Sequence, residues 1–202
     1  MSLKTRPVGD LSSLDTYGFG HRSIMWWGTI SFMMIEGMGF LLACGAYLYL
    51  RGQTGAWPPS SPPPGLLWSG LLTLLLLASC IPNFWLDRQA HAERRGGVRL
   101  GLILMSLVGL AAAGLRAFEL TTLNERWDHN AYGSIVWALM LLHSTHIVTD
   151  VYDTLVLTVV VHTDAVDGKR FSDVSDNALY WYFVVLTWLP IYALIYWSPR
   201  LT

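Results

Sequence analysis

Five stretches of this chain are each apolar for the roughly 20 residues that a helix rising about 1.5 Å per residue needs to cross the hydrocarbon of a bilayer. They run over 23–50, 65–85, 98–122, 131–161 and 176–197. Of 202 residues, 53% are hydrophobic and 13% charged, and the mean hydropathy is +0.41, so a soluble domain is excluded as the main body of the fold. The sequence predicts an all-α integral membrane bundle of five transmembrane helices over 23–198, preceded by a polar segment, 1–22. That segment has no apolar core of a cleavable signal, so the first span is expected to act as its own insertion signal. No repeat period runs along the chain.

Charge in the connections predicts the orientation. Lys4, Arg6, Arg22, Arg88, Arg94, Arg95, Arg99, Lys169 and Arg170 fall on one side, and Arg51, Arg126 and Arg200 on the other. Short basic loops resist translocation, so the N-terminus is expected in the cytoplasm and the C-terminus outside. The proline-rich RGQTGAWPPSSPPPG joins the first two spans and reads as an extended, polyproline-like course. Pro82 and Pro190 lie inside or near the ends of spans, where kinks are expected. Trp26, Trp27, Trp57, Trp127, Tyr180, Trp181 and Trp197 sit near span ends, as an interfacial belt requires. Cys44 and Cys80 lie within spans without CxxC or CxxCH spacing, and read as buried thiols rather than as a disulfide framework or haem attachment. His91, His129 and His162 fall in or beside connections and are expected to be solvated.

The polar residues inside the spans are Glu36, Arg116, Glu119, His143, His146, Asp150 and Asp153. A charged residue at a helix centre costs roughly 2.5–3.5 kcal/mol on insertion scales, so these side chains must face inward, pair or stay neutral. At about 100° per residue, His143, His146, Asp150 and Asp153 fall within roughly 80° of arc on one helix. Counted from the span ends, Glu36 reaches nearly the same depth as the two histidines, about 20 Å. Glu36, His143, His146 and Asp150 are therefore expected to form a hydrogen-bonded network facing the bundle interior. Arg116 and Glu119, three residues apart, are expected to pair with each other or with lipid headgroups.

The strings that carry these residues resemble the subunit III family of the haem-copper (cytochrome c) oxidases, in its five-helix bacterial form. IEGMGFLLACGAYLYLR is similar to the family's SEvMFF helix, with Glu36 on the buried glutamate. AWPP and LLLLAS fit the connection and helix that follow. FELTTLNERW places Glu119 on another family glutamate, and YGSIVWALMLLHSTH places His143 and His146 on the paired histidines. LYWYFVVLTWLPIYALIYW follows the closing helix, and the resemblance runs in order from about Ser23 to Trp197.

The resemblance implies an accessory subunit of a proton-pumping terminal oxidase in the bacterial inner (plasma) membrane. Haem and copper would reside in partner subunits I and II, with none in this chain. It further implies bound phospholipid, support of proton uptake and of the catalytic subunit's stability, and no nucleic-acid partner. The chain departs from the family where Tyr182 and Val185 replace a histidine and an aspartate, where Asp150 occupies a small uncharged position, and where Arg116 replaces a glutamine. A related nitric oxide reductase is therefore an alternative partner. Two other classes compete: a membrane metal site built on the His143, His146 and Asp150 stripe, and a proton-relay transporter. The first lacks the Glu-x-x-His ligands that a four-helix di-metal site draws from several helices. The second lacks inverted repeats.

Overall fold

A computed structural model of the chain describes residues 24–163 and 168–201, with side chains throughout except at 168–170. The expected 1–22 segment lies outside the described residues. Five helices form: α1 (Ile24–Gly52), α2 (Leu66–His91), α3 (Arg95–Thr121), α4 (Ala131–Thr163) and α5 (Gly168–Tyr192). A π-helical turn, Ala193–Trp197, and a 3-10 turn, Ser198–Arg200, close the chain. Five helical runs are long and apolar enough to span a membrane, the last over Phe171–Arg200, and no strand occurs among the described residues.

Helices α2, α3, α4 and α5 close a ring in which each packs on its chain neighbour and α5 returns to α2; α1 leans on the seam between α4 and α5. Glycines on α3 allow the close approach. A Cβ at Gly101 would stand 2.7 Å from a Leu86 methyl on α2, and one at Gly109 2.7 Å from a Val151 methyl on α4. Where lipid is as apolar as leucine, backbone proximity of this kind replaces the hydrophobic drive between helices. Leu72, Leu102, Leu139, Ile147 and Trp188 fill the ring, all at 0% exposure. Trp188 Nε1 donates to Thr73 Oγ1 (2.8 Å), Trp181 Nε1 to Ser79 Oγ (2.7 Å) and Asn83 Nδ2 to the Ala178 carbonyl (2.8 Å), tying α5 to α2.

Helix α5 begins well before the expected apolar start at 176. Val174 and Phe171 are buried, and Ser175 Oγ donates to Asp87 Oδ1 of α2 (2.6 Å), so tertiary contacts extend the helix past its apolar part. Helix α2 runs unbroken through Pro82, whereas α5 relaxes into the π-helical turn three residues after Pro190. That turn buries Tyr196 and leaves the Leu194 carbonyl free to accept from the Tyr47 hydroxyl of α1 (2.7 Å).

The 53–65 loop does not run extended. It follows a series of bends over 55–61 with a cis Trp57–Pro58 peptide, and Trp57 folds back between Tyr47 and Tyr132 with ring centroids 5.5 and 5.1 Å away. Asn124 Nδ2 donates to the Pro62 and Pro63 carbonyls (both 3.2 Å), Asn130 Nδ2 to Ser60 Oγ (3.0 Å) and Arg200 to the Pro64 carbonyl (2.6 Å). Trp57 and Trp181 are thus core residues rather than belt residues, while Trp27, Trp127 and Trp197 remain exposed.

Asn130 starts α4 by accepting from the Gly133 amide at its side-chain oxygen (2.8 Å). This cap folds the 122–130 turn flat onto the first turn of the helix. A Cβ on Gly133 would lie 2.1 Å from the Arg126 carbonyl oxygen, a backbone atom that cannot swing aside. Gly133→Ala is therefore expected to cost about 1–3 kcal/mol and to expose the turn to proteolysis. Chemical denaturation in mixed micelles, followed by cleavage mapping, measures both.

Candidate functional site: two buried polar clusters

The α4 stripe is buried as expected at His143, His146 and Asp150, at 0, 7 and 3% exposure, while Asp153 is exposed. It does not form a single network. The residues divide between two clusters because successive stripe positions meet different neighbouring helices.

The first cluster joins α3, α4 and the end of the chain. Arg116 Nη1 donates to Glu119 Oε2 (2.7 Å), Arg116 Nη2 to His143 Nδ1 (2.7 Å), and the guanidinium lies 4.1 Å over the Trp188 ring. The Tyr196 hydroxyl donates to Glu119 Oε1 (2.5 Å). Arginine has no acceptor, so His143 Nδ1 must accept, and Nε2 must carry the proton it donates to the Val184 carbonyl (2.9 Å). Arg116 and Glu119 are 3 and 0% exposed, which leaves no surface for a lipid headgroup; they pair with each other and with His143 and Tyr196.

The second cluster joins α1, α4 and α5. The Tyr180 hydroxyl donates to Glu36 Oε2 (2.7 Å), and Glu36 Oε1 lies 3.2 Å from His146 Nε2. His146 Nδ1 donates to the Leu142 carbonyl (2.6 Å), which fixes that nitrogen as protonated. His146 Nε2 therefore faces Oε1 of Glu36 at contact distance without completing a hydrogen bond to it. Phe40 packs against both imidazoles, its centroid 4.7 Å from His146 and 6.2 Å from His143. No hydrogen bond among the described residues joins the two clusters. Farther along α4, Asp153 Oδ2 accepts from Asn177 Nδ2 (3.3 Å), whereas Asp150 Oδ1 is sealed without a partner.

Haem iron or copper needs an imidazole nitrogen with a free lone pair. His143 has both nitrogens engaged, and Nε2 of His146 faces Glu36. In this arrangement the His143 ring does not fit a haem or copper ligand, whereas Nε2 of His146 has no hydrogen-bond partner. Among the described residues no three His, Cys, Asp or Glu side chains converge as a metal-binding group. Cys44 and Cys80 are free and half-buried, and His91, His129 and His162 are exposed.

The side chains of these clusters and of the α4 stripe's surroundings that sequence reasoning missed are Tyr180, Tyr196, Trp188 and Asn177. Tyr180 reads as an interfacial aromatic by position alone. Its signal was depth: it lies four residues inside the apolar start at 176, where a hydroxyl needs a partner.

A family model described as cytochrome c oxidase subunit III matches residues 53–199. The chain belongs to the cytochrome c oxidase subunit III family. It is 23% identical over 176 residues to cytochrome c oxidase subunit 3 of Thermostichus vulcanus, covering 86% of this chain and 87% of that protein. To the protein of the same name from Synechocystis sp. it is 26% identical over 200 residues, covering 93 and 83%. With that of Xenopus laevis it shares 27% over 145 residues, 70% of this chain but 55% of the longer relative. A multi-pass membrane subunit of an oxidase complex follows from the family and from the five spanning helices. In this family member the matched region takes in α2 to α5 and both ends of the Arg116 cluster, while Glu36 on α1 precedes it.

Proposed function

We propose that this chain is the accessory, cofactor-free subunit of a haem-copper terminal oxidase, associated with subunits I and II that carry the haem and copper. In this reading phospholipid lies against its exposed apolar faces, its N-terminus is cytoplasmic in a bacterial inner membrane, and it supports proton uptake and stability of the catalytic subunit. The single observation that carries the proposal is the Glu36–His146–Tyr180 cluster, half-buried where α1 meets α4 and α5.

A low-dielectric interior penalises a lone charge far more than a proton moving within a neutral pair. A proton passed between Glu36 and His146, 3.2 Å apart, would leave the net charge of the two unchanged, and Tyr180 fixes the carboxyl orientation through Oε2. The Arg116 cluster, whose guanidinium Nη atoms bond Glu119 and His143, is given the structural role. The test is steady-state oxygen consumption and proton uptake by the assembled complex carrying Glu36→Gln or His146→Ala. Turnover is expected to fall several-fold in both, with the chain still bound. Unchanged turnover, pumping and stability in both variants would remove the proton role.

A further inference from the structure

Two side chains of the α4 stripe each hold a buried polar atom with no hydrogen-bond partner among the described residues: Nε2 of His146 and Oδ1 of Asp150. Both residues are more than nine-tenths buried, at 7 and 3% exposure, and both line one cavity of about 670 Å³ between α1, α4 and the start of α5. They stand four residues apart, a spacing that sets side chains one above the other with Cβ atoms about 5–6 Å apart. Buried polar atoms are almost always satisfied, so two orphans on one helix face call for one explanation. Both are acceptors. His146 Nδ1 spends its proton on the Leu142 carbonyl, which leaves only a lone pair at Nε2 of the neutral ring, and an ionised carboxylate accepts without donating.

Donors of α4 and α5 in the cavity wall are spent elsewhere: the Tyr180 hydroxyl on Glu36, Asn177 Nδ2 on Asp153, and the Thr145 and Thr149 hydroxyls on α4 carbonyls. The titratable groups that share the cavity with Asp150 are Glu36 of α1, His146 and Asp153 of α4, and Asp173, Asp176 and Tyr180 of α5, with no lysine or arginine among the described lining residues. A lone carboxylate is costly within such walls, whereas a proton removes the charge and turns one acceptor into a donor. A water bonded to both orphans bridges atoms about 5–6 Å apart, the separation that helical spacing supplies. We propose that Asp150 carries a proton and shares one bound water with His146, which gives the Glu36 cluster a third acid. The Asp150 carboxyl donates to the water, and the water donates to His146 Nε2. A proton passed along this line leaves Asp150 as a carboxylate and arrives on Nε2, 3.2 Å from Glu36 Oε1; Asp153, exposed and three residues farther along α4, is where solvent reloads Asp150. This deepens the proton reading of the Glu36 cluster and rests on it for the direction of transfer, but occupancy of Asp150 is measured without turnover, so either can fail alone.

The test is infrared difference spectroscopy of the purified complex, wild type against Asp150→Asn, which keeps the side chain's shape. The wild type is expected to show one carboxylic-acid carbonyl stretch that the variant loses. That band should shift in deuterium oxide, because the proton exchanges through the water, and should rise in wavenumber in His146→Ala, where the water loses its acceptor. If Asp150→Asn disrupts the size-exclusion profile, isotopic labelling of aspartate carboxyl carbons carries the test: a labelled acid band of the wild type should move in His146→Ala. Loss of the band in Asp150→Asn alongside unchanged turnover in Glu36→Gln and His146→Ala would leave the site standing and remove only the proton role of the cluster. No acid band lost in intact Asp150→Asn, a band indifferent to deuterium oxide, or no aspartate band that responds to His146→Ala overturns the proposal.

Discussion

Arg116→Met is expected to destabilise the bundle by about 3–5 kcal/mol, the usual cost of removing one partner from a buried ion pair. The guanidinium is 3% exposed and bonds Glu119 and His143 while lying on Trp188. Methionine fills much of the volume but donates nothing. The Glu119 carboxylate, 0% exposed, then keeps only the Tyr196 hydroxyl, and His143 Nδ1 loses its donor. Against a typical total of about 5–15 kcal/mol this threatens folding itself. The double variant Arg116→Met with Glu119→Gln is expected to recover part of the loss, because the amide oxygen still accepts from Tyr196 and no charge stays buried. Unfolding midpoints in mixed detergent micelles measure both. A single-variant loss below about 1 kcal/mol, the range of exposed pairs, would mean that water reaches the cluster.

Trp57→Ala should cost a similar amount, about 3–5 kcal/mol, because a large aromatic leaves a cavity that its neighbours only partly fill. Trp57 is 8% exposed and meets Tyr47 of α1 and Tyr132 of α4 edge-on, so it joins the one helix outside the ring to the ring itself. Its loss should also release the bends of the 53–65 loop, seen as faster proteolysis there. Trp57→Phe keeps an edge-to-face contact and should lose much less. Equal losses for alanine and phenylalanine would assign the effect to the indole nitrogen instead of to packing.

The two positions illustrate how legibility varies along this sequence. The α4 stripe was readable because polar atoms at mid-depth have no partner in lipid: inward placement of His143, His146 and Asp150 follows from helical spacing and the cost of exposure. Trp57 was not readable. An aromatic at a span end satisfies the interface or the core equally well, and only the positions of Tyr47 and Tyr132 decide. The same degeneracy hides most of the apolar packing. Met34 and Ile35 are 73 and 72% exposed while Leu72 is 0% exposed, though all three are chemically interchangeable in a bilayer.

The sequence by itself determined the number of spans, their approximate limits, the inward stripe and the family-like strings, since each depends on local composition or on spacing along one helix. Tertiary structure alone decided the partners. Spacing specifies the direction in which a side chain leaves its own helix axis, but not which helix stands there. Thus His143 and His146, separated by less than one turn, meet Arg116 of α3 and Glu36 of α1 respectively, and one expected network becomes a sealed ion-pair cluster and a Glu36–His146–Tyr180 cluster beside a cavity.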